Sequence, residues 1–175
     1  MWLNVLMALG GLFVLLLIVV SMQATDFSVS RSMAMKTSPE KAFGQINDLH
    51  LMNAWNPWLK LDPNVKQTYS GAPAGVGAIY KWDGNNNVGA GRQTITETRP
   101  FELVRMKLEF FRPFVGTNDV WFTFEPEGDQ TVVSWNMSGQ RNFIMKAMNL
   151  CLSMEKMCGD SFIKGLTDMK AIVEA

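Results

Sequence analysis

The sequence predicts an α+β domain over residues 26–175, a curved antiparallel sheet of about seven strands wrapped on a long C-terminal helix, with a transmembrane helix within residues 1–25. Three observations predict it. No charged side chain occurs before Asp26, and Trp2 to Met22 is almost continuously apolar. Seven later segments alternate apolar and polar side chains with the period of two that marks a strand. After Gly139 apolar residues recur instead at helical spacing, at Ile144, Met148, Cys151 and Leu152, and again at Phe162, Leu166, Met169 and Val173.

The apolar start comes first. A helix of about 20 residues spans the hydrocarbon core of a bilayer, and a helix satisfies its own backbone groups there. Gly10-Gly11 is tolerated in such a helix. A cleaved signal peptide would have a basic start, a shorter apolar core and small residues before the cut. Here no Lys or Arg precedes the run, the run is long, and Met22-Gln23-Ala24 is a poor cleavage site, so a retained anchor is expected. A buried core helix would be apolar on one face only, whereas this stretch is apolar all round. Arg31, Lys36 and Lys41 follow the segment, and the positive-inside rule then favours a single-pass protein with its C-terminal domain on the cytoplasmic side.

The remaining elements follow in order. Phe27 to Met35 alternates, with Val29, Arg31, Met33 and Met35 on one face. Thr37 or Ser38 caps a short helix that has Pro39 in its first turn, and His50 to Trp55 forms a second one stopped by Asn56-Pro57. Short strands are then expected at Val65 to Tyr69, Val76 to Trp82, Gln93 to Thr98, Val104 to Phe110, Val120 to Glu125 and Thr131 to Met137. Their connections are of hairpin length, as at Asp83-Gly84-Asn85-Asn86-Asn87 and Glu127-Gly128-Asp129, so the strands form an antiparallel meander. The closing stretch reads as one long helix, with Gly159 as its point of interruption. A sheet with one apolar face and an amphipathic helix must bury those faces against each other.

Composition excludes several functions. Sixteen basic residues balance sixteen acidic ones, which argues against a nucleic-acid binder that neutralises phosphates. Two cysteines do not make a disulfide scaffold, and with one histidine they leave little for a zinc site. Cys151 and Cys158 would lie about 10 Å apart along an unbroken helix, too far for a bridge. No metal and no cofactor is expected.

Particular residues carry a family resemblance. Val29-Ser30-Arg31-Ser32 runs into Ser38-Pro39-Glu40-Lys41-Ala42-Phe43, and Trp55-Asn56-Pro57-Trp58 precedes Tyr69-Ser70-Gly71. Gly75-Val76-Gly77-Ala78 leads to Tyr80-Lys81-Trp82, and Gly89-Ala90-Gly91 leads to Ile95-Thr96-Glu97. Gly159-Asp160-Ser161-Phe162 is followed by Gly165-Leu166. With the element order, these residues resemble the helix-grip fold of the SRPBCC or START-like superfamily, in its polyketide cyclase/dehydrase and lipid-transport branch. The resemblance spans about residues 27–173. It implies an apolar cavity between sheet and long helix that takes a hydrophobic ligand, and it brings no universal catalytic motif.

The candidate site residues are those placed to wall such a cavity. Tyr80, Trp82, Met106 and Phe110 point inward by strand parity, as do Phe122, Phe124, Trp135 and Met137. Met148 and Leu152 would face them from the long helix. Methionine and aromatic walls suit an adaptable apolar pocket, although the same stripes also pack a solid core. Trp55 and Trp58 stand at the expected mouth, as a rim that touches ligand or membrane or as a structural plug. Glu97 has inward parity on an apolar strand face, where a buried carboxylate would anchor a ligand, move a proton or pair with Arg31.

Other motifs carry little chemistry. His50 sits on a surface helix, out of place for a triad. Gly89-Ala90-Gly91 precedes a strand rather than a helix, so it is no phosphate loop. Asn136-Met137-Ser138 fits a glycosylation triplet but lies within an expected strand. The expected function is membrane-anchored binding of a hydrophobic small molecule or lipid, held to the bilayer through residues 2–22. The alternatives are a cyclase- or dehydratase-like enzyme and a ligand-free interaction module at the membrane.

Overall fold

A computed structural model describes residues 2–150 and 153–175. The N-terminal helix α1 (Trp2–Met22) is about 31 Å long at 1.5 Å per residue. Its side chains are exposed except Val20. Among the described residues it is the one helix long and apolar enough to cross a membrane.

Strand β1 (Asp26–Met35) follows after a three-residue connector, 23–25. Ser38 then caps α2 (Pro39–Asn47) through its hydroxyl, and Asp48 caps α3 (Leu49–Trp55). Six strands complete the sheet: β2 (Lys66–Gly71), β3 (Ala78–Asp83), β4 (Ala90–Arg99), β5 (Leu103–Arg112), β6 (Gly116–Glu127) and β7 (Gln130–Gln140). The spatial order is β1-β7-β6-β5-β4-β3-β2, antiparallel throughout. The helices α2 and α3 thus carry the chain from one edge of the sheet to the other, and the meander returns to β1. The expected fold is present.

The C-terminal stretch departs from the single helix expected. It forms two helices, α4 (Phe143–Asn149) and α5 (Met154–Val173), with Ser153 capping the second by accepting from the Lys156 amide at 3.2 Å. Cys151 and Leu152, assigned to the long helix from sequence, lie outside the described residues. Gly159 does not interrupt α5. It leaves room for the Arg31 guanidinium, which would collide with any Cβ there.

Helix α5 packs mainly on β1, with further contacts to β7, α2 and α3. The solid core lies under this half of the sheet, around Trp55, Phe122, Ile46, Leu166 and Met169. The concave face in front of β3, β4 and β5 is left less covered, and there the cavity opens.

Candidate ligand cavity

The cavity encloses about 290 Å³, close to the smaller ligand sites of proteins. Strand register explains its walls. Tyr80 of β3 pairs with Gln93 of β4, Gln93 with Leu108 of β5, and Leu108 with Asn118 of β6. These side chains form one row across the inner face, and all line the cavity. The neighbouring row is Trp82, Gly91 and Phe110. A Cβ at Gly91 would run into the indole of Trp82, so the glycine lets that ring lie across β4. There Trp82 meets Phe110 edge to face at 5.8 Å.

The aromatic floor separates cavity from core. Trp135 stacks on Phe162 of α5, and Trp58 meets both rings edge-on at 5.7 and 6.1 Å. Behind Trp135 lie Phe122 at 5.0 Å and Trp55 at 5.6 Å. Met52, Met137 and Cys158 also line the cavity. Burial, with a smaller contribution from Glu155, pushes the Cys158 thiol pKa up and keeps it protonated.

Asn56, Trp82 and Gln140 of this wall are bonded to Asn53, Val88 and Asp26, whereas four other polar groups are poorly paired. The Gln93 amide donates to the sulfur atoms of Met106 and Met52, the second at 3.8 Å. The Asn118 amide donates to the Met137 sulfur at 3.6 Å. Thioether sulfur is a weak acceptor. The Tyr80 hydroxyl and the Trp135 indole N–H are buried with no partner. Burial, with a smaller effect from Tyr69, pushes the Tyr80 phenol far above its ordinary pKa, so it is a neutral hydroxyl. Arg112 is the one charged side chain in the described lining, and it is already bonded to Asp83 and, at 3.0 Å, to the Gly84 carbonyl.

Of the residues picked out from sequence, Trp58, Tyr80, Trp82, Phe110, Trp135 and Met137 line the cavity. Met106, Phe122 and Phe124 do point inward, but they are fully packed beneath it. The two tryptophans of Trp55-Asn56-Pro57-Trp58 divide the roles expected for them. Trp55 is the buried plug, donating to the Gln45 carbonyl at 3.4 Å, and Trp58 faces the cavity. Met148 is 43 % exposed on α4, which is a separate helix from α5 because the backbone is extended at Ser153; Met145 of α4 takes the lining position. Leu152 lies outside the described residues.

Glu97 is a correction. A β-bulge at Thr96 shifts the register between Ile95 and Glu97, and an extra residue reverses side-chain parity beyond it. Glu97 therefore stands on the outer face, near Arg99 at 3.4 Å and Arg105 at 3.8 Å. Arg31 pairs with Glu155 at 2.7 Å instead. The described lining holds no carboxylate, and no group of three His, Cys, Asp or Glu side chains is placed to hold a metal among the described residues.

Sequence reading missed Gln93 and Asn118 as site residues, although strand parity carried the signal: both share the inward parity of Ile95 and Val120. It also missed the mouth. Pro113, Phe114 and Val115 between β5 and β6 stand there with Met145 of α4, and a hairpin tip has no periodicity to read.

Comparison with known proteins agrees with this geometry. The family model described as polyketide cyclase / dehydrase and lipid transport matches residues 26–174. No curated protein sequence matches the chain. Among solved structures, a protein of Chromobacterium violaceum superposes with a TM-score of 0.62 at 16 % identity, covering 85 % of this chain and 97 % of that one. The di-domain ARO/CYC protein StfQ of the steffimycin biosynthetic pathway gives 0.62 at 10 % identity, over 86 % of this chain and 51 % of its own. The major latex-like protein 151 of Panax ginseng gives 0.59 at 11 % identity, over 87 % and 100 %. At these identities the likeness is one of fold.

Proposed function

The chain belongs to the polyketide cyclase/dehydrase and lipid transport family, and from that membership we propose that it is a membrane-anchored binding protein for a hydrophobic small molecule or lipid. The observation that carries the proposal is the cavity of about 290 Å³ between the sheet and α5, walled by aromatic rings and thioethers. Its ligand is mostly apolar and carries at least one oxygen or nitrogen. Tyr80, Gln93, Asn118 and Trp135 offer hydrogen bonds that protein partners satisfy poorly or not at all. A buried donor without a partner costs about 1–3 kcal/mol, which a matching ligand atom recovers.

Binding is favoured over catalysis because the described lining offers no ionised group free to move a proton. Its carboxylates are nil, its thiol and phenol are held neutral, and its one arginine is paired. In this reading α1 is a retained single-pass anchor and the domain lies on the cytoplasmic side.

Native mass spectrometry of the full chain, released from mild detergent, tests the binding reading. A discrete added mass that survives gentle activation supports it. Protein without added mass, whose melting temperature does not rise with membrane lipids, overturns it. An uncleaved N-terminus in protein that resists alkaline extraction supports the anchor.

A further inference from the structure

The cavity mouth lies at the end of the sheet where α1 arrives. Strand β1 begins there at Asp26, β7 ends beside it at Gln140, and β6 begins at Gly116 within the same ladder. Only residues 23–25 separate α1 from β1, so Asp26 lies within about 14 Å of Met22, and β6 begins two strands further across the same end of the sheet.

Side chains fasten the connector further. The Arg141 amide donates to the Thr25 carbonyl at 2.7 Å, and Lys146 donates to the Thr25 hydroxyl at 2.9 Å. Helix α4 packs against α1, whose one buried residue, Val20, lies within the apolar span itself. A helix in contact with α1 and tied to Thr25 lies beside the end of the apolar span.

The rim of the mouth is apolar and uncovered. Val115 is 77 % exposed, and Phe114 beside it is also exposed. On α4, Phe143 and Ile144 are about half exposed. Amphipathic surfaces of this kind sink about 5–10 Å into the boundary between headgroups and acyl chains, with cationic side chains among the headgroups. Arg141 and Lys146 are cations at this end of the domain, bonded to Ala24 and Thr25 of the connector.

We propose that the hairpin tip Phe114-Val115 and helix α4 dock into the leaflet beside α1, so that the cavity opens to the lipid phase and its ligand passes between bilayer and cavity without crossing water. This rests on the reading of α1 as a membrane anchor. The occupant of the rim is the bilayer itself, because the connector is too short to hold that end of the domain away from it.

The test is depth-dependent quenching in the full chain, with Cys151→Ser and Cys158→Ala removing the native thiols. An environment-sensitive fluorophore is attached at Val115→Cys, Ile144→Cys, Leu9→Cys or Glu127→Cys, one per protein. Glu127 lies at the far end of β6, about 35 Å away along the strand. The proteins are placed in phosphatidylethanolamine/phosphatidylglycerol vesicles containing brominated lipids.

Loss of emission at positions 115 and 144, greatest with bromines near the headgroup end of the acyl chain and absent at 127, supports the proposal. Quenching at position 9 without quenching at 115 and 144 overturns it and leaves the anchor standing, with the rim then covered by a second copy or another protein. No quenching at position 9 overturns the anchor reading and the docking proposal together.

Discussion

The indole of Trp135 on β7 lies flat against the ring of Phe162 on α5, with centroids 4.3 Å apart and planes within 4° of parallel. This stack joins sheet to helix and divides the interior in two. One side faces Trp55 and Phe122 in the solid core, and the other closes the floor of the cavity.

Gly165 lies behind that stack, one turn beyond Phe162. A Cβ there would come within 2.8 Å of the Trp135 ring and 3.2 Å of Pro57. The indole is already held by ring contacts with Phe162, Phe122, Trp55 and Trp58. Gly165→Ala gains about 1 kcal/mol of helix propensity but overpacks the site at a cost of about 1–3 kcal/mol. The expected result is a net loss of stability, read as a lower urea midpoint with an unchanged slope. A more stable variant would mean that the floor is looser than its geometry.

Tyr80→Phe removes a buried hydroxyl that has no partner. The ligand-free protein is expected to be as stable as the parent or more stable by up to about 1 kcal/mol. Affinity for the ligand that copurifies is expected to fall about two- to twelvefold, from one lost hydrogen bond of about 0.5–1.5 kcal/mol. Tryptophan fluorescence reports it, since Trp58, Trp82 and Trp135 line the cavity. Unchanged affinity would remove Tyr80 from the ligand's polar contacts.

The same phenol sets a pH dependence. Its pKa is raised in the folded state above the ordinary 10.0. The unfolded chain therefore loses this proton first as pH rises. Stability from Tyr80 is full below pH 10.0 and declines above it, until the folded phenol also ionises. Tyr80→Phe is expected to flatten the fall in melting temperature above about pH 10. An identical alkaline profile in both proteins would contradict the burial of this hydroxyl.

Gln93→Met replaces a buried amide by a near-isosteric thioether among Met52 and Met106. Stability is expected to stay within about 1.5 kcal/mol of the parent, while affinity for the copurifying ligand falls. Gln93 and Tyr80 are cross-strand partners. If they hold the same ligand atom, the double variant loses less affinity than the sum of the single losses. Strict additivity would assign them to separate parts of the ligand.

Glu97→Gln is expected to leave ligand binding unchanged and stability within about 0.5 kcal/mol, because the carboxylate is half-exposed on the outer face with loosely placed arginines. A clear loss of binding would contradict the bulge at Thr96, which puts it there.

Local pattern was enough for much of this molecule. The apolar run of α1, the alternation along β1 to β7 and the capped start of α2 are written in neighbouring residues, whose periods follow from backbone geometry alone. The inward set Tyr80, Trp82, Phe110, Trp135 and Met137 follows from the same parity. Tertiary structure decided the rest. Whether an inward ring lines a space or fills one depends on where α5 lies, and α5 lies on β1 rather than on β3 to β5. Parity also survives only while the ladder is regular. One extra residue at Thr96 sends Glu97 to the outer face, and the extended backbone at Ser153 makes α4 a separate helix on which Met148 is exposed. The mouth at Phe114-Val115 was invisible in sequence because a hairpin tip has no repeating face. It acquires meaning only when β6, β7 and the end of α1 come together in space.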